Sequence, residues 1–135
     1  MQTMEAQRVI PRSLDAPLLG FDFKSMITHL KQEGTWKKEG RNAITLVKGP
    51  KLRIVLILAH AFSSIPDYRV FDPITVQVVE GRLRIQSNGD SLELENGQML
   101  TLQPGVRHGI QSIEDTAFLL TLATGQAHPA VDFAY

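Results

Sequence analysis

The residue best placed for chemistry is His108, which follows the tight Gln103-Pro104-Gly105 turn after two intervening positions in the segment GQMLTLQPGVRHGIQ. Glycine permits the sharp reversal, and the histidine beyond it begins a strand that faces inward. An imidazole there can move a proton near neutral pH or orient a ligand. Upstream, Asp67, Tyr68 and Arg69 place a carboxylate, a phenol and a guanidinium in consecutive positions. The planar fork of arginine suits a carboxylate or phosphate. His60 ends an apolar run seven residues before Asp67 and is weighed as a recruited metal ligand, against the commoner arrangement in which a carbonyl or water satisfies a strand-end histidine. His29 falls on the polar side of a helix and His128 in the C-terminal tail, and neither reads as a ligand. With no cysteine there is no disulfide, thiolate nucleophile or cysteine-based zinc site. No nucleophile elbow, phosphate-binding glycine loop, HExxH or paired-carboxylate constellation is present either.

Bulk properties narrow the partners. The 14 Lys and Arg balance 14 Asp and Glu, so the electrostatic footprint for nucleic acid or anionic lipid is missing. The longest apolar run, Ile54 to Ala59, is too short to span a bilayer, and MQTMEAQRVIPRSLDAP lacks the apolar core of a signal peptide. The expectation is a cytoplasmic protein, consistent with the absence of cysteine. At 135 residues, 43% of them hydrophobic, the chain is one domain's length and can bury about two-thirds of its unfolded surface.

These residues need a frame to hold them. Residues 1–20 carry Pro11, Pro17 and Gly20 without periodicity and read as an extended arm. Residues 21–40 read as a helix and connecting loop. Phe23, Met26, Ile27 and Leu30 share one helical face, Asp22 caps its start, Phe21 and Met26 form the staple, and Gly34 ends it. Trp36, in the polar segment TWKKEGRN, packs the helix onto the domain rather than binding a ligand.

From residue 41 to 125 the period changes to two and turn residues recur at short intervals, which predicts an all-β sandwich or barrel. Ala43 to Lys48 and Leu52 to His60 are strands joined at Gly49-Pro50. The second is apolar throughout Ile54 to Leu58 and is expected at the centre of its sheet. RLRIQ and SLELE form a hairpin with Leu83, Ile85, Leu92 and Leu94 on one face and Arg82, Arg84, Glu93 and Glu95 on the other, a solvated surface. Met99 to Leu102, Gly109 to Ile113 and Ala117 to Ala123 complete the strands, and residues 126–135 are a tail.

The segment from Gly97 to His108 resembles the second cupin motif, G-x5-P-x-G-x2-H, with Gln103 where that motif has proline, and PITVQVVEGRLRI resembles the end of the first, E-x6-G, closing at Gly81. The resemblance covers roughly residues 52 to 123. It implies a double-stranded β-helix (a jelly-roll barrel) and often a homodimer. It also implies where metal ligands would stand. The Glu position falls on Ile74 and the two His positions on Asp67 and Arg69, or with the shorter spacing on Tyr68 and Val70. Arginine stays protonated and isoleucine has no lone pair, so at most Asp67 and His108 remain, and no bound metal or other cofactor is expected.

Three functions follow. The first is a metal-independent binding module for a small anionic metabolite, with Arg69 and His108 projecting into a barrel lined by Ile74, Val76, Val78 and Ile110, and with Asp67 and Tyr68 beside them. The second is a cupin-type enzyme, an isomerase, an epimerase or a metal-dependent oxygenase-like protein, using His108 as acid or base with Tyr68 or Asp67 as partner. The third is a structural or regulatory dimer whose barrel is filled. In the bland variant of the first, Asp67 neutralises Arg69 internally and leaves no room for an anion.

Overall fold

A computed structural model describes residues 16–69 and 71–123, the side chains of 66–69 excepted. The N-terminal arm up to residue 15 and the tail at 126–135 lie outside the described residues.

Alternation makes most of the fold. Strands β1 (Arg41–Lys48), β2 (Leu52–Ala59), β3 (Ser64–Arg69), β4 (Ile74–Glu80), β5 (Arg82–Ser87), β6 (Asp90–Glu95), β7 (Met99–Leu102), β8 (Arg107–Ser112) and β9 (Thr116–Ala123) form two antiparallel sheets. Their orders are β1-β2-β9-β4-β7 and β3-β8-β5-β6. The inward residues of both sheets, Val55, Ile57, Ile74, Val76, Val78, Leu83, Ile85, Ile110 and Phe118 among them, interlock as one apolar core.

The continuous apolar run of β2 is explained by cover on both faces. Val55 and Ile57 enter the inner core, while Leu56 and Leu58 join a second cluster with Met26, Ile27, Leu30 and Trp36. β2 is nevertheless second in its sheet, and β9 holds the centre. Helices laid on the outer face bury β2's other side, so full burial does not mark the middle strand.

Helix α1 (Phe23–Lys31) supplies that cover and starts as expected: Asp22 Oδ1 accepts the Ser25 N–H at 3.3 Å. Two corrections concern its end. The helix stops at Lys31 with Gln32 as its C-cap, and Gly34 opens a second helix, α2 (Gly34–Glu39), where a loop was expected. Six residues are too few to show a helical period, and burial of Trp36 anchors the turn. Asn42 fastens the pair to the sheet, its Nδ2 donating to the Leu30 carbonyl at 3.0 Å and to Glu33 Oε1 at 2.8 Å.

The β5–β6 hairpin has the expected register, Leu83 opposite Leu94, Ile85 opposite Leu92, Arg82 opposite Glu95 and Arg84 opposite Glu93. Leu92 departs from its expected burial, at 54% exposed, on β6, which is the edge strand of its sheet among the described residues. Among the described residues no helix is long and apolar enough to cross a membrane.

Candidate functional site

The turn before β8 aims the central residue of the site. Gly105 takes φ +79°, Val106 N–H donates to the Gln103 carbonyl at 3.3 Å, and β8 then alternates between exposed or half-buried Arg107, Gly109 and Gln111 and buried His108, Ile110 and Ser112. His108 is 1% exposed. Its Nδ1 lies 3.2 Å from the Val106 carbonyl. A carbonyl only accepts, so that contact puts a proton on Nδ1 and fixes both the tautomer and the ring's orientation. His108 is therefore a buried, positioned imidazole near the start of β8.

β3 brings the other candidates to the same end. Ile65 pairs with Ile110, and after a bulge Tyr68 pairs with His108 and Arg69 with Arg107. The extra residue of a bulge shifts register by one. Tyr68, rather than Asp67, is thus level with His108, and Arg69 is level with Arg107. The side chains of Asp67, Tyr68 and Arg69 fall outside the described residues.

Ile74, where the resemblance would place a glutamate ligand, is 2% exposed and packed in the core opposite Leu102 and Leu122. An alkyl side chain at that point has no donor atom. Among the described residues no three His, Asp or Glu gather closely enough to hold a metal ion. Among the described residues the donor set does not fit the metal that the resemblance implies.

His60 is not drawn toward His108. It stacks on Trp36 with ring centroids 3.7 Å apart, its Nε2 is 3.3 Å from the Trp36 carbonyl and its Nδ1 is 3.6 Å from Asp115 Oδ1. Ser112, at the far end of β8 from His108, holds this corner through its hydroxyl, which donates to the His60 carbonyl. His29 faces Glu33 at 3.8 Å on an exposed helical turn. His128 lies outside the described residues.

Ile74, Val76, Val78 and Ile110 do line the interior, but Phe118, Leu120 and Leu122 pack against them. Among the described residues a groove of about 600 Å³ lies against the outer face of the second sheet, between the β5–β6 turn and the side chains of Arg107, Gln86 and Ser91. Gly109, which carries no side chain, is among the residues that line it. Sequence reasoning missed this groove, and its one local signal is the glycine in the middle of β8. On the same face Arg84 Nη2 donates to Glu93 Oε2 at 2.8 Å, and the guanidinium holds the Glu93 carboxyl below the usual carboxylate range.

No protein-family model matches the chain, and no curated protein matches it in sequence. Solved structures do. An RmlC-like cupin from Shewanella frigidimarina has a TM-score of 0.60 at 20% identity over 64% of this chain and 78% of its own. A cupin-superfamily protein from Desulfitobacterium hafniense has 0.60 at 14% over 62% and 76%. Salicylate 1,2-dioxygenase from Pseudoaminobacter salicylatoxidans, in a structure with gentisate adducts, has 0.67 at 19% over 76% of this chain and 32% of its own. Two antiparallel sheets in this order, closed at Gly81 and turned at Gly105 into a buried His108, give the chain the fold of a small RmlC-like cupin domain.

Proposed function

We propose that this is a metal-independent cupin that binds a small organic anion at the end of its barrel, where β3 and β8 pair. Arg69 is the principal donor, level with Arg107 on the outer side of that ladder and with Asp67 and Tyr68 beside it in sequence, whereas buried His108 faces the interior and belongs to the second reading below. The observation that carries this reading is the register that makes Arg69 and Arg107 direct cross-strand partners, one residue from the Tyr68–His108 pair. An anion lodged between two guanidinium forks is held by charge-assisted, bidentate hydrogen bonds. The groove beside Arg107 gives such a ligand access. In this reading the protein works in the cytoplasm as a homodimer.

A thermal-shift screen of small carboxylates and phosphates tests it. A stabilising anion is expected, and its effect is lost in Arg69→Leu and in Arg107→Leu. Elemental analysis of the purified protein is expected to find no stoichiometric iron, manganese or zinc. If Asp67 already neutralises Arg69, no anion raises the melting temperature, and Arg69→Leu destabilises the fold by about 3 kcal/mol through the orphaned carboxylate. That outcome sinks the binding reading and favours the filled barrel, to which the apolar packing around Phe118 lends weight.

An enzyme is the second reading, favoured by Tyr68 standing across from His108. A phenol and an imidazole in that relation are an acid–base pair. It predicts a turnover lost in both Tyr68→Phe and His108→Gln.

A further inference from the structure

The chain contains two Asn-Gly dipeptides, and the fold treats them in opposite ways. At Asn96-Gly97 both reacting groups are held: Asn96 Oδ1 accepts the Gly81 N–H at 2.6 Å, and the Gly97 N–H donates to the Val78 carbonyl at 2.9 Å. At Asn88-Gly89 neither is. Both residues are exposed at the tip of the β5–β6 hairpin, with positive φ of 51° and 86°, the two-residue turn that Ser87 opposite Asp90 closes. No hydrogen bond of the described residues involves the Asn88 side chain or the Gly89 N–H, and nothing lies within 4 Å of the space where a Gly89 side chain would be.

We infer that Asn88 is a site of spontaneous covalent modification, deamidation through a cyclic imide, and that Asn96 is protected from it. The Gly89 amide nitrogen loses its proton to base and bonds to Asn88 Cγ. The Cγ–Nδ2 bond breaks, and the amide leaves as ammonia. Water then opens the imide at either carbonyl, giving aspartate or isoaspartate, with no oxidant or reductant consumed. A glycine after asparagine leaves the attacking nitrogen unhindered. At Asn96 the same attack requires two hydrogen bonds to open first, so the reaction there is limited by local unfolding.

The products differ from asparagine in ways that matter at this position. Either adds a negative charge at the rim of the groove that Arg107 lines. Isoaspartate also inserts an extra backbone carbon into a turn whose two-residue length sets the hairpin register. The inference stands apart from the anion-binding reading, because it needs no ligand.

The test uses the full-length folded protein held in mildly alkaline buffer, with an aliquot kept in denaturant. Cleavage after Glu93 and Glu95 separates the two dipeptides, and mass spectrometry follows the amide-to-acid exchange in each. In the folded sample Asn88 is expected to convert at least roughly tenfold faster than Asn96, the ratio collapsing in denaturant where no opening is needed. Asn88→Gln is expected to abolish the acid product in its fragment. Equal rates at the two sites in the folded protein, or an Asn88 that stays intact while the denatured sample converts, would overturn the inference.

Discussion

The indole of Trp36 lies flat on the imidazole of His60, with ring centroids 3.7 Å apart and planes 17° apart. Trp36 is 7% exposed and belongs to the cluster that seats both helices on the five-stranded sheet, so the stack couples α2 to the end of β2. Trp36→Ala is expected to cost about 3 kcal/mol or more by loss of a large buried side chain, and His60→Ala about 1 kcal/mol. Denaturant unfolding of both single variants and the double variant measures the coupling. Strict additivity would mean that the stack contributes nothing beyond burial.

Gly81 joins β4 to β5 at φ +104°, and a Cβ there would stand 2.5 Å from the Asp115 carbonyl oxygen and 2.5 Å from Thr116 Oγ1. Neither neighbour is free to move. The Thr116 hydroxyl is shared among the Arg82 N–H and the carbonyls of Arg82 and Glu114. Gly81→Ala therefore combines an unfavourable backbone region with overpacking, for an expected loss of about 3 kcal/mol or more. Thermal unfolding checks this, and Gly89→Ala, where no atom is within 4 Å, provides the comparison for backbone conformation alone.

Glu93 titrates below the usual carboxylate range because Arg84 donates a hydrogen bond to it and, with Arg82, attracts its charge. A carboxyl whose folded value is depressed contributes stability that is present above its unfolded value of about 4.3 and is lost as the pH falls through the folded one. In Arg84→Ala the Glu93 titration followed by NMR should move up toward the ordinary value. The acid-side slope of stability should flatten with it. An unchanged Glu93 titration in Arg84→Ala would remove the ion pair as its cause.

Among the described residues β6 and β7 are edge strands, and each exposes a large apolar residue, Leu92 at 54% and Met99 at 55%. Unpaired edges carrying such side chains favour association. Light scattering at micromolar concentration is expected to show a dimer, weakened by Met99→Lys or Leu92→Lys, and a monomer throughout would count against it.

The sequence made the strands legible wherever the physics is local. Leu83, Ile85 and Leu94 alternate with Arg82, Arg84 and Glu93, and that alternation alone determines which face is buried. Asp22 as cap and the Met26, Ile27, Leu30 face were readable for the same reason. Contacts between distant segments were not. Nothing near Trp36 indicates that His60 will cover it, and nothing in SIPDYR indicates the bulge that moves Tyr68 into line with His108. The helix at GTWKKE was hidden by its length, and the groove had only Gly109 as a local signal.

The position of β9 has a consequence for how the protein is made. This strand lies between β2 and β4, with Phe118 opposite both Ile57 and Val78, yet it follows every other described strand in the chain. While the ribosome is still extending the polypeptide, β2 and β4 have no partner on their facing sides. The five-stranded sheet can close only after Thr116–Ala123 emerges. The nascent chain must carry two unsatisfied inner edges until then, so folding is limited by a long-range pairing made late. A stall before Thr116 would leave an intermediate prone to aggregate.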